Sequence, residues 1–290
     1  MLLLQWRMRR SITGIDHAVA LVRELDGARA RFERLGFTVA PRGVHPPELG
    51  TGNHTVMLER EYLELMGVLA PTAANARYRS ALAQREGLAA LALQTTSADA
   101  VVAEMTAAGV ALEAPVDFAR PVVLSDGIRT QAAFRTAHFA EGTAPGFHVF
   151  CCEHRTRHVT WRPELLDHAN GAVALEHVLA ASDDPQSDAA ACARLFASTP
   201  SEASDGAVVV DTGNATIRFH SQRSLAARFR GVDLAGAATA GLVGLSLRTT
   251  SLAKAERAIA GGGVRATETA DGIAIAPGDA CGVLLVFAGP

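Results

Sequence analysis

Two stretches of the chain share one short pattern at a spacing of 154 residues. The residues LALQTTS from Leu91 to Ser97 correspond to LSLRTTS from Leu245 to Ser251. In each, an apolar strand-like run ends in Thr-Thr-Ser, and serine is a preferred residue for capping the start of a helix. A Gly-Val pair follows both predicted helices, at Gly109 and Gly263. The chain is therefore predicted to be a tandem duplication.

A second pair of stretches repeats more weakly, at a spacing of 160 residues. Asp16-His17 corresponds to Glu176-His177, and Leu35 corresponds to Leu195. The alternative is that strand–helix units share such caps and leucines without common origin. The contiguous identity of the first pair favours duplication of a half that itself contains two units.

Each unit reads as a strand, a helix and three further strands. In the first, a helix capped by Asp26 runs to about Leu35, and Gly36 ends it. We predict an α+β fold of four tandem βαβββ modules, with residues 11–153 as one half, 154–171 as a crossover and 172–290 as the second half. Strands of the first two modules are expected near residues 12–22, 37–40, 54–59, 61–68, 88–94, 122–125, 129–138 and 146–153, with a loop at 42–53.

Composition bounds the class of protein. Of 290 residues 49% are hydrophobic and 20% charged, and the net charge of −3 argues against a nucleic-acid partner. Neither a secretory leader nor a run of roughly 18 apolar residues is recognisable, so we expect a cytoplasmic protein without a membrane partner. The four cysteines, Cys151, Cys152, Cys192 and Cys281, suggest no disulfide framework.

Two predicted strands carry one ligand-type side chain each. His17 lies in the run IDHAV and Glu64 in the run YLELM. Alternation along a strand places His17 with Ile15 and Val19, and Glu64 with Tyr62 and Met66. If the strands are neighbours, an imidazole and a carboxylate form half of a divalent metal site. The alternative is a hydrogen-bonded core histidine and a glutamate at a strand edge.

At this point the sequence resembles the glyoxalase-like branch of the vicinal oxygen chelate superfamily. The resemblance depends on IDHAVALVREL, ARFERLGF, GTGNHTVMLEREYLELMGV, FCCEHRT and the W-x-P-x-x-x-x-HANGA pattern, from about Ile12 to Gly171. It implies paired βαβββ modules that curl into mixed-sheet cups, here two. It also implies one divalent metal, held by His and Glu from the first and last strands of two modules, which acts as a Lewis acid on a small substrate with vicinal oxygens.

The carry-over of ligand positions is incomplete. His17 and Glu64 match the metal positions of the first module, and Glu64 would also be the catalytic base. In the second module Ala90 stands where the first-strand His would be, and the Glu position falls near Phe150. His148 is the predicted substitute ligand, with Cys152 as another. Such a site is compatible with Zn, Ni, Mn or Fe.

Further residues are predicted to contact substrate in the first cup. Arg129 and Arg135 share one face of a strand and could hold an anion, although solvated edge arginines are the alternative. His154, His168 and Cys152 are placed at or near the crossover and the last strand. The second cup offers His177 and Ser246 and is read as mainly structural.

Two functions remain open. One is a metal-dependent lyase, isomerase or dioxygenase acting on a small oxygenated metabolite. The other is a non-catalytic protein that binds or sequesters a small molecule in the same cup without metal, as the missing histidine at Ala90 suggests. Because four modules in one chain could complete their own cups, a monomer is expected, with a homodimer as the alternative.

Overall fold

The computed structural model describes residues 11–290, which form two eight-stranded mixed sheets. The strands are β1 Ile12–Leu21, β2 Gly43–Val44, β3 Thr51–Met57, β4 Tyr62–Val68, β5 Gly87–Thr95, β6 Val116–Val123, β7 Arg129–His138, β8 His148–His154, β9 Ala172–Ala181, β10 Ser201–Glu202, β11 Val208–Asp211, β12 Thr216–His220, β13 Gly241–Thr249, β14 Ala266–Thr269, β15 Gly272–Ile275 and β16 Leu284–Ala288. The α-helices are α1 Leu25–Arg34, α2 Ala76–Gln84, α3 Ala98–Ala107, α4 Arg157–Thr160, α5 Pro185–Phe196, α6 Gln222–Arg228 and α7 Leu252–Gly261.

The two sheets repeat one topology. The first has the order β2-β3-β4-β1-β5-β8-β7-β6 and the second β10-β11-β12-β9-β13-β16-β15-β14. In each module the first strand pairs in parallel with the last, and the first strands of two modules pair antiparallel at the centre of the sheet. This arrangement confirms the predicted α+β fold of four βαβββ modules.

The first sheet curls until its edge strands meet. The guanidinium of Arg120 on β6 lies against Gly43 on β2, where an added Cβ would come within 2.8 Å of the Arg120 Cζ. The rings of His45 and Phe118 also touch across this edge, with centroids 5.8 Å apart. Helix α2 covers the hollow and packs Tyr78, among others, on its apolar lining. We call this hollow the first cup.

The convex faces of both sheets and the four long helices share one continuous core. Ile15 and Ala18 of β1 lie in it with Leu175 of β9 and Leu245 of β13. Full burial of a leucine or isoleucine side chain in this core stabilises the fold by roughly 1.5–3 kcal/mol. This core joins the two halves across their backs and leaves the concave faces for other uses.

A β-bulge interrupts the central strand of each sheet. On β1, Ile15 pairs with Leu93 and His17 with Ala92, so Asp16 is an extra residue. On β9, Leu175 pairs with Leu247 and His177 with Ser246, so Glu176 is the equivalent extra residue. An extra residue shifts the strand's alternation by one. Asp16 and His17 therefore share the concave face, and the prediction that His17 points with Ile15 is wrong.

Asn214 ties the two halves together beside this bulge. Its Oδ1 accepts a hydrogen bond from the Ile15 N–H at 2.8 Å, and its Nδ2 donates to the Ile15 carbonyl at 2.8 Å. The same amide donates to Glu61 at 2.7 Å. The Asn214 side chain thus takes the place of a neighbouring strand. It pairs with the N–H and the carbonyl of Ile15, which would otherwise lack partners in the protein interior.

Three predicted details differ from the structure. The carboxylate of Glu24, not Asp26, caps α1, because it accepts from the N–H groups of Asp26 and Gly27. Residues 37–40 form no strand, and the short β2 lies instead within the predicted loop. Strand β6 begins earlier than predicted, at Val116. Within residues 11–290, no helix is long and apolar enough to cross a membrane.

Candidate active site in the first cup

His17 and Glu64 face one another on neighbouring strands. The parallel pairing of β1 and β4 sets Val19 opposite Glu64 and His17 opposite Tyr62. The His17 Nε2 lies 3.5 Å from Oε2 of Glu64, and both side chains are more than nine-tenths buried. An imidazole nitrogen and a carboxylate oxygen therefore meet within the cup, as the sequence analysis required for a metal site.

The other nitrogen of His17 is held by the bulge residue. Asp16 Oδ1 lies 2.7 Å from His17 Nδ1 and 3.0 Å from His154 Nε2. Burial alone would raise the pKa of Asp16, but the charge of His154 and hydrogen bonds from both histidines hold it well below its ordinary value. Asp16 is thus an anionic anchor that orients His17 and leaves its Nε2 directed at Glu64.

Glu64 is oriented in the same way, by a second polar partner. The Asn53 amide donates to Oε1 of Glu64 at 2.6 Å. His45, which follows β2, places its Nε2 4.0 Å from that Oε1, while its Nδ1 pairs with the Thr51 hydroxyl at 2.8 Å. Burial lowers the pKa of His45 and favours its neutral form. His17, Glu64 and His45 therefore each have one atom fixed and one atom facing the cup.

Aromatic rings enclose these polar groups. Tyr62 stacks on His17 with centroids 4.2 Å apart, and Phe150 meets His17 edge-on at 5.5 Å. His154 lies between Phe134 and Trp161, at 4.9 and 5.0 Å. Such apolar walls lower the local dielectric, which strengthens electrostatic interactions inside the cup.

Cys152 belongs to the same neighbourhood. Its Sγ and the ligand atoms of Asp16, His17 and His154 all lie within 4.8 Å of one another. Burial and the nearby carboxylates Asp16 and Glu64 raise the pKa of Cys152 well above its ordinary value, so it is a neutral thiol. The Nδ1 of His17 and the Nε2 of His154 both face Asp16 and are occupied by hydrogen bonds. The Nε2 of His17 is therefore the nitrogen left to bind a metal ion.

The donor set fits a divalent metal ion. Two nitrogen and oxygen ligands of one tetrahedral zinc ion are separated by roughly 3.4 Å, given bonds near 2.1 Å. The 3.5 Å between His17 Nε2 and Glu64 Oε2 matches that spacing. Carboxylate or amide partners behind each ligand, here Asp16 and Asn53, are the usual outer support of such sites.

The second module lacks both equivalent ligands. The register that sets Val19 opposite Glu64 in the first module sets Ala92 opposite Phe150 in the second, and Ala90 opposite His148. Phe150 thus takes the position of the carboxylate, and Ala90 that of the histidine. Donors beyond His17 and Glu64 must come from elsewhere in the cup.

His148, the predicted substitute ligand, is engaged away from His17. Its Nε2 lies 2.7 Å from His138 Nδ1, and Arg77 NH1 approaches its ring at 2.9 Å. Burial lowers the pKa of His148 to about 3 and that of His138 to about 4, with Arg77 adding to both shifts. The pair is therefore neutral and satisfied by its own contacts.

Of the other five residues predicted to contact substrate, two lie beside His17 and three do not. His154 and Cys152 lie beside His17, as described. Arg135 pairs with Asp99 at 2.9 Å and with Asp117, outside the cup, and Arg129 is exposed at the start of β7. His168 is buried outside the cup, where it accepts from the Thr38 N–H at 3.0 Å and donates to the Met57 carbonyl at 2.7 Å.

Sequence reasoning missed three residues of the cup: Asn53, His45 and Arg120. Arg120 lies on the same face of β6 as Phe118 and Val122, which pack on the lining of the cup. That inward register was the available signal, since a charged residue at an apolar-facing strand position is unusual. His45 gave no signal, because it lies in a stretch read as a loop.

A cavity of about 750 Å³ opens beside the first cup, between α2 and the approach to β8. Tyr78 lines it, and burial together with the charge of Glu64 raises the pKa of Tyr78 to about 12. Arg77 and His148 also line the cavity. Tyr78 therefore links the cavity to the surroundings of Glu64.

The second cup is filled by its own side chains. Leu225 and Phe229, at the end of α6, pack on Leu284 and Val286 of β16. His177 Nδ1 bonds the Thr216 hydroxyl at 2.9 Å. A network of ion pairs adds to this packing, formed by Arg218, Arg228, Asp205 and Asp271. These contacts are those of a structural module.

Comparison with known proteins places this architecture in a recognised group. The sequence profile of a family described as a glyoxalase-like domain matches residues 15–196. No curated protein sequence matches the chain.

Solved structures share the fold at low identity. A hypothetical protein from Staphylococcus aureus aligns with a TM-score of 0.69 and 12% identity, covering 95% of this chain and 99% of its own. A mutant of 4-hydroxymandelate synthase from Streptomyces coelicolor gives 0.58 and 16%, covering 89% and 77%. A fusion of a xylose isomerase-like TIM barrel with a 4-hydroxyphenylpyruvate dioxygenase gives 0.59 and 13%, covering 97% of this chain and 49% of the fusion.

Proposed function

Since the chain belongs to the glyoxalase-like domain family of the vicinal oxygen chelate superfamily, we propose that its first cup is a metal-dependent active site for a small oxygenated metabolite. The observation that carries the proposal is the pair of preoriented donors, His17 Nε2 and Glu64 Oε2, 3.5 Å apart in a buried hollow. Dioxygenase, lyase and isomerase chemistry are all compatible with such a site.

His17 and Glu64 would hold the ion, and His45 is the third donor that the geometry offers. The His45 Nε2 already lies 4.0 Å from Glu64. Two imidazoles and one carboxylate leave coordination positions open for substrate oxygens. A divalent ion bound there would supply Lewis-acid stabilisation of negative charge that develops on those oxygens.

Other residues of the cup would hold the two ligands in position and keep water away from them. Asp16 and Asn53 hold His17 and Glu64 in position, and the ring of Tyr62 covers His17. Glu64 is also the proposed catalytic base, a role that would require substrate to displace its Oε2 from the ion, while Asn53 holds its Oε1 in either role. The cavity beside Tyr78 is the proposed route by which the substrate enters.

Metal analysis tests the proposal directly. Protein purified without chelator is expected to retain, or to bind on addition, about one Zn, Ni, Mn or Fe ion per chain. The variants His17→Ala and Glu64→Gln should lose it. His177→Ala, at the equivalent bulge of the second half, is the matched control and should keep it. Wild-type protein that binds none of the four ions would refute the metal site.

A second function has one observation in its favour. Ala90 and Phe150 occupy the positions where the superfamily pattern places two further ligands. A protein that sequesters a small molecule in a metal-free cup would tolerate these residues. In that case His17→Ala would leave small-molecule binding nearly unchanged, whereas the metal-dependent function requires that it fall.

A further inference from the structure

Arg120 is a cation inside the first cup. On β6 it pairs with Ala132 and lies between Phe118 and Val122, which point to the same lining. Its guanidinium reaches the opposite edge of the sheet and lies against Gly43, close to the side chain of Asn53. Asn53 is the residue that orients Glu64, so the guanidinium is close to the proposed metal ligands.

No acidic side chain of residues 11–290 forms an ion pair with Arg120, and its Nε is a buried donor without a hydrogen-bond partner. Among residues 11–290 the Nε of Arg218 in the second cup is likewise a buried donor without a partner, but Arg218 and Arg228 are both paired with Asp205. Arg120 is half-buried, a guanidinium stays charged in proteins, and leaving it without a counter-ion away from water is costly. Arg120 is therefore a cation of the cup that forms no ion pair within residues 11–290, although the Glu64 carboxylate acts on it electrostatically.

The charged groups around Arg120 add to the case for a bound anion. Burial lowers the pKa of Arg120, Tyr62 and Glu64 partly oppose the shift, and the nearby Arg162 adds to it. Arg162 is itself paired with Glu164 at 3.3 Å. Two guanidinium groups near one another, of which only Arg162 has an ion-pair partner in the described part of the chain, favour a site that accepts an anionic ligand.

We propose that Arg120 binds the carboxylate of the substrate, so that the metabolite acted on is a small organic acid. The inference rests on the proposed function for the position of the substrate's other oxygens. A planar carboxylate matches the fork of one guanidinium, whereas a phosphate dianion usually needs several donors. The stacked rings of Phe118 and Phe134, 5.1 Å apart, would form an apolar wall for the carbon skeleton of the acid.

Calorimetric titration of the wild-type protein with benzoate, pyruvate, benzamide and inorganic phosphate tests the inference. Binding of a carboxylate, with benzamide silent, is expected. Arg120→Gln should weaken that binding roughly tenfold or more, and Arg120→Lys, which keeps charge without the fork, should give an intermediate value. Arg265→Gln, at an exposed position that pairs with no acidic side chain among residues 11–290, is the matched control and should bind as wild type does.

Thermal denaturation provides a second readout. Because Arg120 forms no ion pair within residues 11–290, Arg120→Gln should leave the melting temperature of ligand-free protein unchanged or raise it, whereas a structural arginine would lower it. Equal carboxylate binding by Arg120→Gln would overturn the inference, as would tighter binding of phosphate than of any carboxylate. Loss of carboxylate binding in Arg120→Gln with metal content unchanged separates this result from failure of the metal site itself.

Discussion

Asp16 and His17 are consecutive in the sequence, yet both side chains face the interior of the same cup and their Oδ1 and Nδ1 atoms lie 2.7 Å apart. The bulge on β1 makes this possible, because it removes one step of the strand's alternation. A carboxylate is thereby placed behind the imidazole that faces Glu64.

Asp16→Asn is expected to weaken metal affinity by about 10–100-fold, because the imidazole loses its anionic partner. Competition titration with a chelating dye measures the change. Glu176→Gln alters the equivalent bulge residue of the second half and should leave metal affinity as in wild type. Equal affinity in Asp16→Asn and wild type would show that Asp16 only satisfies His154.

Stability should fall on acidification through His138 and His148. Their folded pKa values are about 4 and about 3 against an ordinary 6.5, chiefly because of burial. Between about pH 6.5 and pH 4 the unfolded chain therefore binds more protons, so the free energy of unfolding decreases as pH falls, by up to about 1.4 kcal/mol per pH unit for each histidine. Denaturant titrations from pH 7 to pH 4.5 measure this slope.

The charged groups around this pair, Arg77 and Glu113, are both exposed and form an ion pair at 3.1 Å. The double variant His138→Asn/His148→Gln should consequently show a shallower pH dependence than wild type. An identical slope in the double variant would assign the acid sensitivity to other groups.

His168→Ala should destabilise the fold without affecting the site. The variant leaves the Thr38 N–H and the Met57 carbonyl without their partner, which costs about 2–4 kcal/mol in free energy of unfolding. Metal content should not change. His158→Ala, at an exposed position of the same crossover, is expected to stay within about 0.5 kcal/mol of wild type.

Asn214→Ala tests the connection between the halves. It removes both hydrogen bonds to Ile15 and the one to Glu61, and we expect a loss of about 2–4 kcal/mol in denaturant titrations. Its three contacts lie beside the Asp16 bulge, so metal affinity should fall as well. A destabilised variant with unchanged metal affinity would show that the Asn214 contacts between the halves and the site are independent.

Much of the fold was predictable because local chemistry and the repeat agreed. Ser97 and Ser251 cap α3 and α7 as their positions in the repeat indicated, and β7 has its predicted bounds. The family resemblance placed Phe150 at the glutamate position of the second module, and the pairing of β5 with β8 agrees with that placement. These features depend on short-range rules that a single sequence displays.

The site was less predictable, because its key contacts are between distant segments or break alternation. Nothing in the run IDHAV marks Asp16 as a bulge residue, and only three-dimensional closure brings His45 and Arg120 to Glu64. Arg135 shares a strand with residues that line the cup but has the opposite facing, which one residue of register decides.

His17, His45 and Glu64 all come from the first module, whereas Phe118, Arg120 and Phe134 come from the second. One ancestral copy thus contributes the donor atoms, and its twin contributes the wall that faces them. Substitutions in β6 and β7 can therefore adapt the cup to a different acid while the metal-binding atoms of the first module keep their positions.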